Sequence, residues 1–102
     1  MFTVIYRWRV KPGSEDRFVA AWHALTKQIH RVRQSYGSRL HRESDGTYCA
    51  IALWPSEEAW KIDDPPLHAG STIAAFQECI EQRLPTVTME SIDDLWRMPT
   101  LG

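Results

Sequence analysis

The chain has only two cysteines, Cys49 and Cys79, and no CxxC pair. Both lie in apolar-patterned segments, which points to reduced, buried thiols in a cytoplasmic protein rather than a disulfide framework. No apolar run approaches the roughly 18 residues that a membrane-spanning helix needs. The N-terminus runs straight into a strand pattern, without the basic, apolar and cleavage regions of a signal peptide. Gly-rich phosphate loops, nucleophile elbows and internal repeats are missing. The acid pairs Glu57-Glu58, Asp63-Asp64 and Asp93-Asp94 read as helix caps and solvated loops, because adjacent residues do not face each other on a helix. His23 and His30 stand seven apart, too wide for a two-histidine clip, and no Cys or carboxylate completes a site. No metal is therefore expected.

Acids are also absent between Asp16 and Glu43. Residues 1–42 hold nine Lys/Arg against two Asp/Glu (+7), and residues 43–102 hold three against eleven (−8). A basic half suggests nucleic acid, but a basic footprint alone is weak evidence. The plainer reading is two halves that pack on each other, or pair across a dimer, through complementary charge. Neither a nucleic-acid nor a membrane partner is expected.

What is present is an ordinary globular composition, 43% hydrophobic and 25% charged, which argues against disorder. Its 102 residues suit one domain, 1–102, of a size that often gains stability by dimerising. Five tryptophans either fill the core and an interface or line a pocket for a flat ligand.

Phe2, Val4, Tyr6, Trp8 and Val10 alternate with Thr3, Arg7 and Arg9, with Ile5 the exception. This period of two predicts a first strand with one buried face. Lys11-Pro12-Gly13 is a turn, Ser14 a candidate N-cap, and Glu15 and Asp16 suit the first turn of a helix. Phe18, Trp22, Leu25, Ile29 and Val32 form one helical stripe. Ser38–Glu43 reads as a second strand, Asp45-Gly46 as a hairpin turn, and Thr47–Trp54 as a third strand apolar on both faces. Ser56 caps a short helix that Pro65-Pro66 ends. Ile73, Phe76, Ile80 and Leu84 predict a last helix, stopped by Pro85, and Thr86–Ile92 a final strand. A tail from about 93 to 102, with Leu95, Trp96, Met98, Pro99 and Leu101, has the composition of an arm that clasps a partner. The order β-α-β-β-α-β, with an extra short helix, is the ferredoxin-like α+β arrangement. RNA-recognition domains share it, but the third strand lacks their basic-Gly-aromatic pattern.

Trp8-Arg9-Val10-Lys11-Pro12-Gly13, Asp45-Gly46-Thr47-Tyr48 and above all Leu53-Trp54-Pro55-Ser56-Glu57-Glu58-Ala59-Trp60 resemble the antibiotic biosynthesis monooxygenase domain family, over about residues 1–90. The resemblance implies a dimeric α+β barrel, two four-stranded sheets facing each other, with a pocket between each sheet and its helices. It also implies either cofactor-free oxidation of anthrones, hydroquinones and related phenols by O2, or haem degradation. The haem-degrading branch uses an asparagine on strand one, a tryptophan in the second helix and a histidine in the last helix. Here Tyr6 takes the first place, Trp60 falls about three residues early, and the predicted last helix, about 71–83, has no histidine. That argues against haem.

The expected function is thus a cofactor-independent monooxygenase for a small phenolic, quinol or anthrone-like compound, working as a homodimer. Tyr6 and His68 are the catalytic candidates. Tyr6 could bind a substrate oxygen, and His68, in a Pro/Gly loop, could take a proton. Trp8, Trp22, Trp60 and His41 are candidate substrate-binding residues. Each has a plainer reading: a core tyrosine, a solvated loop histidine, and packing tryptophans. The alternative for the whole chain is a non-catalytic dimeric binding or scaffold module, in which the tryptophans fill the pocket.

Overall fold

A computed structural model describes residues 1–62 and 70–97. Its elements are β1 (Phe2–Val10), α1 (Glu15–Val32), β2 (Gly37–Arg42), β3 (Tyr48–Trp54), α2 (Glu57–Lys61), α3 (Gly70–Glu78), β4 (Ile80–Arg83) and β5 (Val87–Glu90). One antiparallel sheet runs β2-β3-β1-β4, and β5 also pairs with β1. The helices lie over one face, as in the ferredoxin-like arrangement.

Register explains which side chains the helices cover. Phe2 faces Trp54, Val4 faces Ala52, Tyr6 faces Ala50 and Trp8 faces Tyr48. Directly opposed residues share a sheet face, so all eight project toward the helices. Most of them are buried there. Trp8 packs edge-on against Phe18 of α1 and Phe76 of α3, with ring centroids 5.6 and 5.4 Å away. Phe18 is fully buried, and Tyr48 and Phe76 lie 5.0 and 5.2 Å from it. This aromatic knot holds α1 and α3 on the sheet. The other face carries Ile5, Arg7, Cys49, Ile51, Leu53, Arg39 and His41. Its apolar members are half-buried rather than covered, so β3 is closed on the helix side only.

The last helix departs from the pattern read in the sequence. Helix α3 ends at Glu78, and Ile80–Arg83 is a strand, not a further helical turn. Opposite Trp8–Val10 the edge of β1 has open hydrogen-bonding groups, and β4 fills it with a bulge between Arg9 and Val10. Lys11 N–H donates to the Cys79 carbonyl at 2.8 Å and fixes the reversal. Ladder bonds thus outweigh the i,i+4 spacing of Ile80 and Leu84. Beyond it β5 pairs with Phe2–Ile5, so β4 and β5 form one interrupted edge strand along β1. The interruption falls at Pro85, which has no N–H to give to a ladder.

The two predicted caps also differ. Ser56 Oγ accepts from Ala59 N–H at 3.1 Å. Ser14 makes no side-chain cap bond; its hydroxyl accepts instead from Arg17. Both cysteines are free, and Cys79 is buried. No described helix is long and apolar enough to cross a membrane.

Candidate functional site

The alternation of β1 sends Tyr6 toward the helices, next to Trp8, with the rings stacked at 5.8 Å. Trp8 is enclosed on its remaining sides by the aromatic knot. Tyr6 instead borders a cleft of about 340 Å³ with Ile29 of α1, Arg33 at its C-cap, Trp54 at the end of β3, and Trp60, Lys61 and Ile62 around the end of α2. Ser56 sets this geometry: its cap starts α2 immediately after the strand and swings Trp60 back over β1. The Trp60 indole N–H donates to the Tyr6 hydroxyl at 2.8 Å.

That bond leaves Tyr6 Oη free to donate its own proton. Burial raises the Tyr6 pKa above the ordinary tyrosine value, and the Trp60 bond offsets this in part. The side chain is therefore protonated at neutral pH. It can donate to a developing oxyanion, but it is no base in that state. Trp54 Nε1 is buried with no hydrogen-bond partner among the described residues. No group of His, Cys, Asp and Glu among the described residues could hold a metal ion.

Of the candidates read from the sequence, the structure brings together Tyr6 and Trp60, with Trp8 behind Tyr6 in the core. Trp22 packs against the aromatic core but lines a different cleft, on the β2 side of α1. His41 opposes Cys49, and Cys49 opposes Arg7, so His41 lies on the sheet face away from the helices. That face is electrostatically organised as well: Arg7 makes two 2.7 Å hydrogen bonds to Glu43, lowering the carboxyl pKa and raising its own. His68 lies outside the described residues, as do Pro65-Pro66 and the Met98–Leu101 end of the tail. Trp54, Ile29 and Arg33 were not singled out beforehand. Trp54 shares the parity of Tyr48, Ala50 and Ala52, and Ile29 belongs to the apolar stripe of α1, so part of the signal was there.

A helix-covered antiparallel sheet of order β2-β3-β1-β4, with a cleft between sheet and helices, defines a ferredoxin-like α+β protein. The family profile described as antibiotic biosynthesis monooxygenase matches residues 1–62, and the chain belongs to that family. Among curated proteins no sequence matches. Solved structures share the fold at low identity. A Bordetella bronchiseptica protein with the same family description aligns at a TM-score of 0.76 and 19% identity, over 89% of this chain and 96% of that one. SnoaB from Streptomyces nogalater, described as a cofactor-independent oxygenase, aligns at 0.76 and 18%, over 92% and 95%. The Mycobacterium tuberculosis protein Rv0793 aligns at 0.73 and 16%, over 93% and 98%.

Proposed function

We propose that the chain is a cofactor-independent monooxygenase that oxidises a small phenolic, quinol or anthrone-like compound with O2 in the Tyr6–Trp60 cleft. The observation that carries this reading is the Trp60-to-Tyr6 hydrogen bond at the cleft wall, which fixes a neutral phenol as a donor. A flat substrate lies between the indoles of Trp54 and Trp60, and its oxygen accepts from Tyr6. A base, for which His68 is the candidate, removes a proton from the substrate. The resulting anion passes electrons to O2, a C–O bond forms, and the peroxide breaks down with loss of water. One oxygen atom stays on the product and the other leaves in water. Tyr6 stabilises the anion throughout.

The binding-module alternative expects Tyr6, Trp8 and Trp60 in contact with no cavity. Tyr6 contacts both Trp8 and Trp60, but the cleft beside them is open, which favours the catalytic reading.

The assembly we propose is a homodimer in the cytoplasm, with the helix-free sheet face turned to a second copy. Ile5, Ile51 and Leu53 lie on that face, and Val87 and Met89 extend it, 46% and 43% exposed. In the tail, Ile92 and Leu95 are 88% and 89% exposed, and we assign this arm to clasping the partner.

The test is O2 uptake by metal-free protein with anthrones and hydroquinones, wild type beside Tyr6→Phe and His68→Ala. Uptake should saturate with substrate and fall by about 100-fold or more in Tyr6→Phe, as when an oxyanion donor is removed. Uptake at the buffer rate across the panel would reject the oxygenase reading. Unchanged turnover in both variants would reject the site.

A further inference from the structure

The other flank of α1 borders a second cleft, of about 490 Å³, between the helix and the start of β2. His23, Lys27, His30 and Arg31 line it. Their spacings of four, three and one place them along one side of the helix. The half-buried Trp22 and the Thr26 hydroxyl complete the α1 wall, and Ser38 lies opposite. Ser38 Oγ already donates to the Ile51 carbonyl at 3.1 Å, so the donors available to a ligand come from α1.

Among the described residues no carboxylate lines this cleft. None of its four basic side chains enters an ion pair or a side-chain hydrogen bond among the described residues. Three cations elsewhere are engaged, Arg7 with Glu43, Lys61 with Glu57 and Arg17 with Ser14; what sets this flank of α1 apart is that four basic side chains converge on one cleft. The negative end of the helix dipole explains His30 and Arg31 in the last turn. It does not explain Lys27 and His23, since the effect fades within that turn. Lys27 and Arg31 stand i,i+4 with like charge, an arrangement that weakens an isolated helix and that a bound anion would relieve. The concave wall focuses their field. Arginine matches the two oxygens of a carboxylate, and a half-buried indole is a surface for a ring.

We propose that this cleft binds a small aromatic carboxylate, with its carboxylate on Lys27 and Arg31 and its ring against Trp22. The site is separate from the Tyr6 cleft and independent of the oxygenase reading.

The test is a benzoate titration of the full chain at low ionic strength, followed by amide and indole N–H chemical shifts. Saturable shifts are expected at the Trp22 indole and at Gly37 and Ser38. Lys27→Gln/Arg31→Gln should weaken binding by about ten-fold or more, roughly the loss of one good charged contact. Arg83→Gln/Arg97→Gln removes the same charge from exposed residues away from the cleft and should leave affinity unchanged. Shifts confined to Tyr6, Trp54 and Trp60, no saturation, or equal weakening in both double variants would overturn the proposal. Inorganic phosphate binding as tightly as benzoate would also overturn it, because charge alone would then suffice.

Discussion

Separating the Tyr6–Trp60 hydrogen bond from the packing around it is the sharpest test of the site. The bond is 2.8 Å long and joins residues 54 apart in the sequence. A neutral bond of this kind contributes a net of about 0.5–1.5 kcal/mol. Tyr6→Phe removes the acceptor and leaves the Trp60 N–H at a cleft that water can enter, so the full cost of an unsatisfied buried donor does not apply. We expect about 1 kcal/mol of destabilisation, a fall in Tm of about 4–8 °C for a domain of this size. Trp60→Phe removes the donor and some ring contact with Phe2, whose centroid is 5.6 Å away, and should cost more. In the double variant the bond is lost only once. Urea unfolding of wild type, both single variants and the double variant should therefore give a coupling energy of about 1 kcal/mol. A coupling below about 0.3 kcal/mol, the ordinary scatter of additive pairs, would show that the bond does not organise the cleft. The account of Tyr6 as a fixed donor would then fail.

Phe18→Ala, which empties the centre of the aromatic knot, should cost about 3–5 kcal/mol by urea unfolding, and a loss under about 1 kcal/mol would refute that placement. Ser56→Ala should destabilise by about 1 kcal/mol through the lost cap, whereas Ser14→Ala, with no cap bond to lose, should cost less; a reversed order in thermal unfolding would contradict the geometry. In acid, Glu43 is held low by its hydrogen bonds to Arg7, and Asp45 by the Thr47 backbone N–H. Because these folded-state values are depressed, the stability they contribute is present above the usual carboxylate range near pH 4 and is lost as pH falls through the lower folded values. The urea midpoint should drop more steeply there in wild type than in Glu43→Gln, and parallel curves would dismiss the pair. At the alkaline end the raised Tyr6 pKa works the other way. Its contribution is full below about pH 10 and declines as pH rises through the folded value; Tyr6→Phe should flatten this decline.

Local chemistry was enough for β1, α1, the hairpin at Asp45-Gly46, β3 and the Ser56 cap. In each, the period of the apolar residues or a cap or turn residue decides the backbone within a few positions. The parity of Tyr6 with Trp8, and of Trp54 with Ala52, was legible for the same reason, because side-chain direction in a strand alternates regardless of what lies across from it. Strand β3 is apolar on both faces, as its sequence reads; within the single chain the helices cover one face, and the other is the face assigned above to a second copy.

Where a residue's state depended on something distant in the chain, the sequence was silent or misleading. Ile80 and Leu84 carry a helical spacing, yet the unpaired edge of β1 draws Ile80–Arg83 into a strand, since ladder hydrogen bonds are non-local. Trp22 and Trp60 look equivalent as aromatic candidates, but the turn of α1 sends one to the basic cleft and the cap of α2 sends the other to Tyr6. His41 follows the parity of Arg39, and only the register with Cys49 and Arg7 shows that this parity points away from the helices. The sequence by itself determined the elements and the alternating faces of its clearest strands, because those follow from bonds and sterics between near neighbours. The pairing of Tyr6 with Trp60, the division of the last segment into α3 and β4, and the two separate clefts on α1 were decided by tertiary structure, because each depends on which distant surface a side chain meets.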